Sequence, residues 1–217
     1  MRSGFYSKRI VSGLIAGMFG ILVVGVGGIW FTFALGLIVH LALLEYFRMT
    51  EFAGIRPATK TTLLACQILL ITTYFDSQGV FPKELANAVV PLSGAAICGW
   101  LLLQPITGSI SDIATSIFGL FYLGYLPSYW IRLRSLSLID LSPSIKLINN
   151  LPTILTVGFF VTFVSCLMIV ASDIGSYYFG RIFGKNPLTP VSPSKTVEGA
   201  VCGIICSVGV GLLSGIF

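Results

Sequence analysis

Charge is what this chain has least of. Its 217 residues include 13 Lys and Arg and 8 Asp and Glu, 10% of the total, against about 25% in ordinary soluble domains. A soluble domain of 23.3 kDa needs a charged shell, and so few charges cannot form one. Histidine is nearly absent. His40 stands alone inside an apolar run, which excludes a histidine metal site and suits an interhelical hydrogen bond. No CxxC pair occurs among Cys66, Cys98, Cys166, Cys202 and Cys206. All five lie in apolar runs and read as small lipid- or core-facing residues, not as a disulfide framework. No basic run is interleaved with aromatics, so no nucleic-acid partner is expected. The short alternating segments of an outer-membrane barrel are missing too, as are internal repeats and low-complexity linkers.

What is present is apolar. Hydrophobic residues make up 55% of the chain and mean hydropathy is +0.95. The apolar runs are continuous, which predicts an all-α polytopic transmembrane helical bundle of about seven helices. The net charge of +5 is scattered along loops, as the positive-inside rule and anionic headgroups require. Residues 10–44 form one long apolar stretch, too long for a signal peptide and without a small-residue cleavage site. It reads as two helices, 10–26 and 30–47, turning at Gly25–Trp30. Further helices are expected at 61–75, 85–103, 113–131, from Pro152 into Asp173, and from Thr196 to Phe217. The intervening segments, including the one with Pro187, Pro190 and Pro193, read as loops. Residues 1–217 are taken as a single membrane domain. Arg2, Lys8 and Arg9 ahead of the first helix predict a cytoplasmic amino terminus. Arg48, Arg56 and Lys60 agree, and Arg181, Lys185 and Lys195 fall on the same side, whereas Arg132, Arg134 and Lys146 fall on the other.

One stretch, residues 171–199, carries candidate chemistry: ASDIGSYYFGRIFGKNPLTPVSPSKTVEG. Asp173 is a carboxylate at the end of an apolar helix, where charge is expensive and tends to be functional. On a helix Asp173, Tyr177, Gly180 and Gly184 project from one face, with Arg181 and Lys185 close by. That face offers a carboxylate, a phenol and two gaps for a backbone or ligand. Ser192, Ser194, Lys195 and Thr196 open the last helix. Ser194 or Thr196 suits an N-cap, and hydroxyls with a lysine at a helix start can cradle phosphate. Glu198 in the first turn suits the dipole or a metal. Plainer readings stand beside these: an interfacial Asp173–Arg181 pair, glycines that pack helices, and an ordinary capped helix start.

The order of these elements resembles the phosphatidate cytidylyltransferases, also called CDP-diacylglycerol synthases. Their comparable stretch looks like Asp-x-Gly-Ala-Tyr-Phe-x-Gly-Arg-x-Phe-Gly-Lys, then Ser-Pro-Lys-Lys-Thr-x-Glu-Gly. The likeness covers Asp173–Gly199, with Ser176 where alanine is usual and Ser194 where lysine is usual. Glu45–Tyr46 is similar to that family more weakly. The resemblance implies transfer of CMP from CTP to phosphatidate, giving CDP-diacylglycerol and diphosphate. It implies Mg²⁺ held in part by Asp173, with Asp173 and Lys195 catalytic. Tyr177, Arg181, Lys185, Ser192, Ser194, Thr196 and Glu198 would bind CTP or the lipid. The implied setting is the plasma (inner) membrane, with the site facing the cytoplasm. The Gly199-x-x-x-Gly203 and Gly211-x-x-x-Gly215 spacings permit close helix contact, either within the chain or between two copies in a homodimer. The family's carboxyl-terminal element, a Lys-Asp pair, a Pro-Gly-His-Gly-Gly stretch and close-spaced aspartates, has no counterpart here. No His follows His40 and no Asp follows Asp173. The chain is therefore expected to be the front part of a longer enzyme and inactive alone. Two other readings remain open: a CTP-dependent polyprenol or dolichol kinase, and a non-enzymatic transporter or scaffold.

Overall fold

The structure is a computed structural model and describes residues 17–81, 83–136, 157–190 and 192–216. The expected first-helix residues 10–16, the basic residues Arg2, Lys8 and Arg9, the connector with Lys146 and the helix start at Pro152 lie outside the described residues. The chain divides into two compact units, Met1–Phe159 and Phe160–Phe217.

The first unit is helical. Helix α1 is Gly17–Val26, and α2 is Gly28–Phe52, α3 Thr59–Ser77, α4 Lys83–Leu102 and α5 Ile110–Phe118. A π-helical segment, Gly119–Tyr125, continues without a break into α6, Leu126–Arg134. Apolar composition builds the core: Leu43 and Phe47 of α2, Leu69 and Leu70 of α3, Ile97 of α4 and Ile131 of α6 are fully buried. The π segment has a local cause. Pro127 stands at the start of α6, where it lacks an N–H and would clash with the carbonyl four residues back. Widening the preceding turns removes that carbonyl from its path.

Polar ties fix the two ends of this unit. At one end Asp112 accepts hydrogen bonds from the backbone N–H groups of Arg56 (2.7 Å) and Ser109 (2.7 Å). Ser109 caps α5 in return, accepting from Asp112 N–H at 3.2 Å. These donated bonds, that from Arg56 first, hold the Asp112 carboxyl below the usual carboxylate range. Ser116 Oγ accepts from Ala58 N–H at 2.9 Å and donates to the Asp112 carbonyl at 2.7 Å.

At the other end Arg134, 6% exposed, donates Nε–H to the Val24 carbonyl at 2.7 Å and Nη2–H to the Gly25 carbonyl at 3.2 Å. It thereby satisfies the carbonyls that end α1. The chain turns at Gly27, φ 64°, where a Cβ would lie 2.7 Å from the guanidinium carbon. Only glycine serves there, on both counts. Arg132 pairs with Asp76 at 3.7 Å. Two of the three basic residues that oppose the orientation count are thus engaged in the fold. Arg134→Ala is expected to lower stability by about 3 kcal/mol, because it leaves buried carbonyls unpaired. Arg132→Ala, which breaks a longer and partly exposed pair, should cost under about 1 kcal/mol. Thermal unfolding in detergent checks the contrast; equal shifts would refute the capping role of Arg134.

The second unit holds most of α7, Val157–Phe183, a two-stranded antiparallel hairpin of β1 (Pro187–Thr189) and β2 (Ser192–Thr196), and α8, Val197–Ile216. Helices α2 and α7 and the segment Val197–Gly215 are each long and apolar enough to cross a membrane. Two expectations need correction. The sixth expected helix does not end at Asp173 but runs ten residues further, to Phe183. The stretch rich in proline is not plain loop. Pro187 begins an edge strand and Pro190 sits in the turn, positions where a missing N–H costs nothing.

Candidate active site

The second unit is organised by a seam of small residues. A Cβ on Gly199 would lie 2.7 Å from the Ser176 carbonyl oxygen and 2.9 Å from Gly180 Cα. One on Gly203 would lie 2.8 Å from the Ser172 carbonyl oxygen and collide with Ser176 Oγ. Gly175 faces Cys206, and Gly211 faces Met168. Ser172, Ser176 and Gly180, four residues apart, therefore pack directly onto Gly199 and Gly203 of α8, the small-residue contact typical of membrane helices. Gly180 and Gly184 are not open gaps. Both lie against the Thr196 side chain, and Gly180 also against the Gly199 backbone, so neighbouring protein atoms fill the space the sequence left open to a ligand.

Along the rim of this seam runs a polar stripe. Asp173, Tyr177 and Arg181 follow at four-residue spacing and all are exposed in this unit. Arg181 Nη1 donates to Tyr177 Oη at 3.5 Å. Asp173 makes no hydrogen bond or ion pair among the described residues, so Arg181 does not neutralise it. The Asp173–Arg181 pair allowed by the sequence is absent there. About 12 Å of helix rise separates the two.

The start of α8 is closed by its own groups. Thr196 is the N-cap, its Oγ1 accepting from Gly199 N–H at 3.2 Å. Val197 N–H donates to the Asn186 carbonyl at 3.0 Å. Glu198 reaches back across the hairpin. Its carboxylate accepts from Lys185 N–H (3.2 Å), Asn186 N–H (3.3 Å) and Asn186 Nδ2 (2.9 Å). Glu198 staples the exit of α7 to the entry of α8. Asn186 escaped the sequence reading; its one signal was an amide directly after Gly184-Lys185. Ser194 and Lys195 are exposed on β2, Lys185 is exposed beside the staple, and Ser192 is half-buried.

The arrangement has three parts: a rigid frame (Thr196, Glu198, Asn186), cations around it (Arg181, Lys185, Lys195) and an unengaged carboxylate, Asp173, about 12 Å of helix rise before Arg181 along α7. Clustered cations of this kind can attract anionic groups such as phosphates. Among the described residues no three His, Cys, Asp or Glu side chains converge. Asp173 alone fits a Mg²⁺ only where substrate phosphates complete the shell, which is how Mg²⁺ is commonly held.

Residues 7–217 match the model of the Cytidylyltransferase family. The chain is 41% identical over 219 residues to the phosphatidate cytidylyltransferase of Synechocystis sp., covering 95% of this chain and 71% of that protein. It is 31% identical over 222 residues to phosphatidate cytidylyltransferase 4, chloroplastic, of Arabidopsis thaliana, covering 95% of this chain and 54% of that one. Identity to the phosphatidate cytidylyltransferase of Bacillus subtilis is 27% over 202 residues, covering 91% of this chain and 67% of that one. No solved structure matches the chain. With nearly its whole length matched and its polar stretch on one helical hairpin, the chain belongs to the cytidylyltransferase family.

Proposed function

We propose that this protein acts as a phosphatidate cytidylyltransferase. A phosphate oxygen of phosphatidate attacks the α-phosphorus of CTP, the bond to the β-phosphate oxygen breaks, and diphosphate leaves with CDP-diacylglycerol formed. The observation that carries this reading is the family match along almost the entire chain, together with relatives of that name. Both reactants are anionic, so neutralising and aligning their phosphates is the main demand. Lys195, with Ser192 and Ser194, holds a phosphate of CTP or lipid. Arg181 and Lys185 meet the triphosphate or headgroup, and Tyr177 orients Arg181. Thr196 and Glu198 keep the hairpin in shape for these contacts. Mg²⁺, bound by Asp173 with substrate phosphates, would supply charge neutralisation at the reacting phosphates.

The setting is the inner (plasma) membrane with the site on the cytoplasmic side. The cations at 181–195 support that orientation, and CTP is a cytoplasmic nucleotide. A second copy of the chain joins through α8, where Gly215 meets nothing within 4 Å among the described residues.

Position-labelled CTP tests the reaction. Native protein in mixed micelles with phosphatidate and Mg²⁺ is expected to move label from the α-phosphorus, not the γ-phosphorus, into lipid. Label arriving from the γ-position would make it a kinase, and no transfer from either would favour a transporter or scaffold.

A further inference from the structure

At the end of the first unit where Asp112 joins two loops there is a recess of about 700 Å³. The segment Gly54–Ala58, the last turn of α4 at Trp100, and the loop 104–109 form its walls. None of its residues belongs to the stretch 171–199. We propose that it binds the phosphate headgroup of an anionic phospholipid.

Three observations converge. First, the recess is built. Asp112 bonds the backbone of both loops and Ser116 bonds Ala58, so its shape does not depend on loose side chains. Second, a cation lines it, one that also lies close enough to attract the Asp112 carboxylate. This is Arg56, and its guanidinium has no hydrogen bond or ion pair among the described residues. The only carboxylate lining it, that of Asp112, is turned onto the two backbone N–H groups. Ser109 Oγ accepts from Asp112 N–H and its hydroxyl faces the Asp112 carboxylate, while Thr107 and Gln104 add further polar groups to the wall.

Third, the residues flanking its walls in sequence are apolar. Phe52, Leu103 and Ile110 are 92%, 85% and 88% exposed. Side chains this apolar at the end of a membrane bundle sit among acyl chains, and half-exposed Trp100 marks the interface. A lone arginine with hydroxyls at that level meets lipid phosphate. Basic pockets between membrane helices bind headgroups in this way.

The native protein reconstituted in phosphatidylcholine nanodiscs with a minor fraction of phosphatidylglycerol tests this. The readout is the phosphatidylglycerol retained per protein on delipidation. Arg56→Gln should lower the enrichment about fivefold, the effect of one basic residue near a membrane surface. Its hydrogen bond to Asp112 comes from the backbone and survives the change, and only the longer-range attraction of the guanidinium to that carboxylate is lost, so the fold is kept. Lys60→Gln, exposed one turn away on α3, should change it little. Equal loss in both variants, or no enrichment in the parent, would overturn the site in favour of diffuse attraction. Tighter binding of inorganic phosphate than of phosphatidylglycerol to the delipidated protein would overturn the lipid as its occupant. Should Arg56→Gln fail to fold, Thr107→Val reads the same wall, and unchanged retention there refutes the proposal.

Discussion

Asp173→Asn is expected to reduce turnover by about 10²-fold or more while leaving the protein folded. The magnitude is that of losing one electrostatic group from a reacting centre. The folding half follows from geometry. Asp173 is exposed in its unit and bonded to nothing among the described residues, so its charge supports no contact there. An unpaired carboxylate two-thirds of the way along a 27-residue apolar helix is costly in a membrane. Its amide should leave the unfolding temperature unchanged or slightly raised. Turnover measured with α-labelled CTP, beside a melt of the same preparation, separates the effects. A folded variant with near-normal turnover would remove Asp173 from the site.

The largest structural effect is expected from Gly199→Val. Its Cβ would meet the Ser176 carbonyl oxygen and Gly180 Cα, backbone atoms with no rotamer to yield. The two further methyls add to the overlap. α7 and α8 would have to separate, loosening the Thr196 cap and the Glu198 staple. Overpacking of this kind costs about 3 kcal/mol. Unfolding temperature should fall sharply, and limited proteolysis should open the 184–196 hairpin. Gly209→Val is the control, since nothing among the described residues lies within 4 Å of Gly209. If both variants melt alike, the seam is not the element holding this unit.

These outcomes depend on features that were unevenly legible in the chain. Hydropathy located the helices because apolar runs of membrane length have few alternatives. It placed the end of the sixth at Asp173 because a charge resembles a terminus. The helix continues since Gly175 and Gly180, poor helix formers alone, are stabilised by α8 packed against them. The hairpin stayed hidden because three prolines read as loop, although an edge strand tolerates them. Periodicity put Asp173, Tyr177, Gly180 and Gly184 on one face. It could not tell that the glycines meet a neighbour while the acid and phenol lie on its rim, because that division depends on where α8 lies. Thr196 was legible as a cap from residue type. Asn186 and the reach of Glu198 were not, since a hydrogen bond across twelve residues leaves no local pattern. Counting basic residues treated Arg132 and Arg134 as free loop charges, when tertiary contacts hold both.

The Arg134 clamp also sets a timetable for assembly. The carbonyls it satisfies belong to residues 110 and 109 positions earlier. At ribosomal rates that interval is on the order of ten seconds. During it the α1–α2 junction is already made but not yet locked, so it must be held by its surroundings until α6 arrives. Nascent chains arrested before residue 134 should keep a turn that proteases and amide exchange can reach. Those released after it should protect that turn. Maturation of the amino-terminal pair is thus a late event, governed from a distant codon.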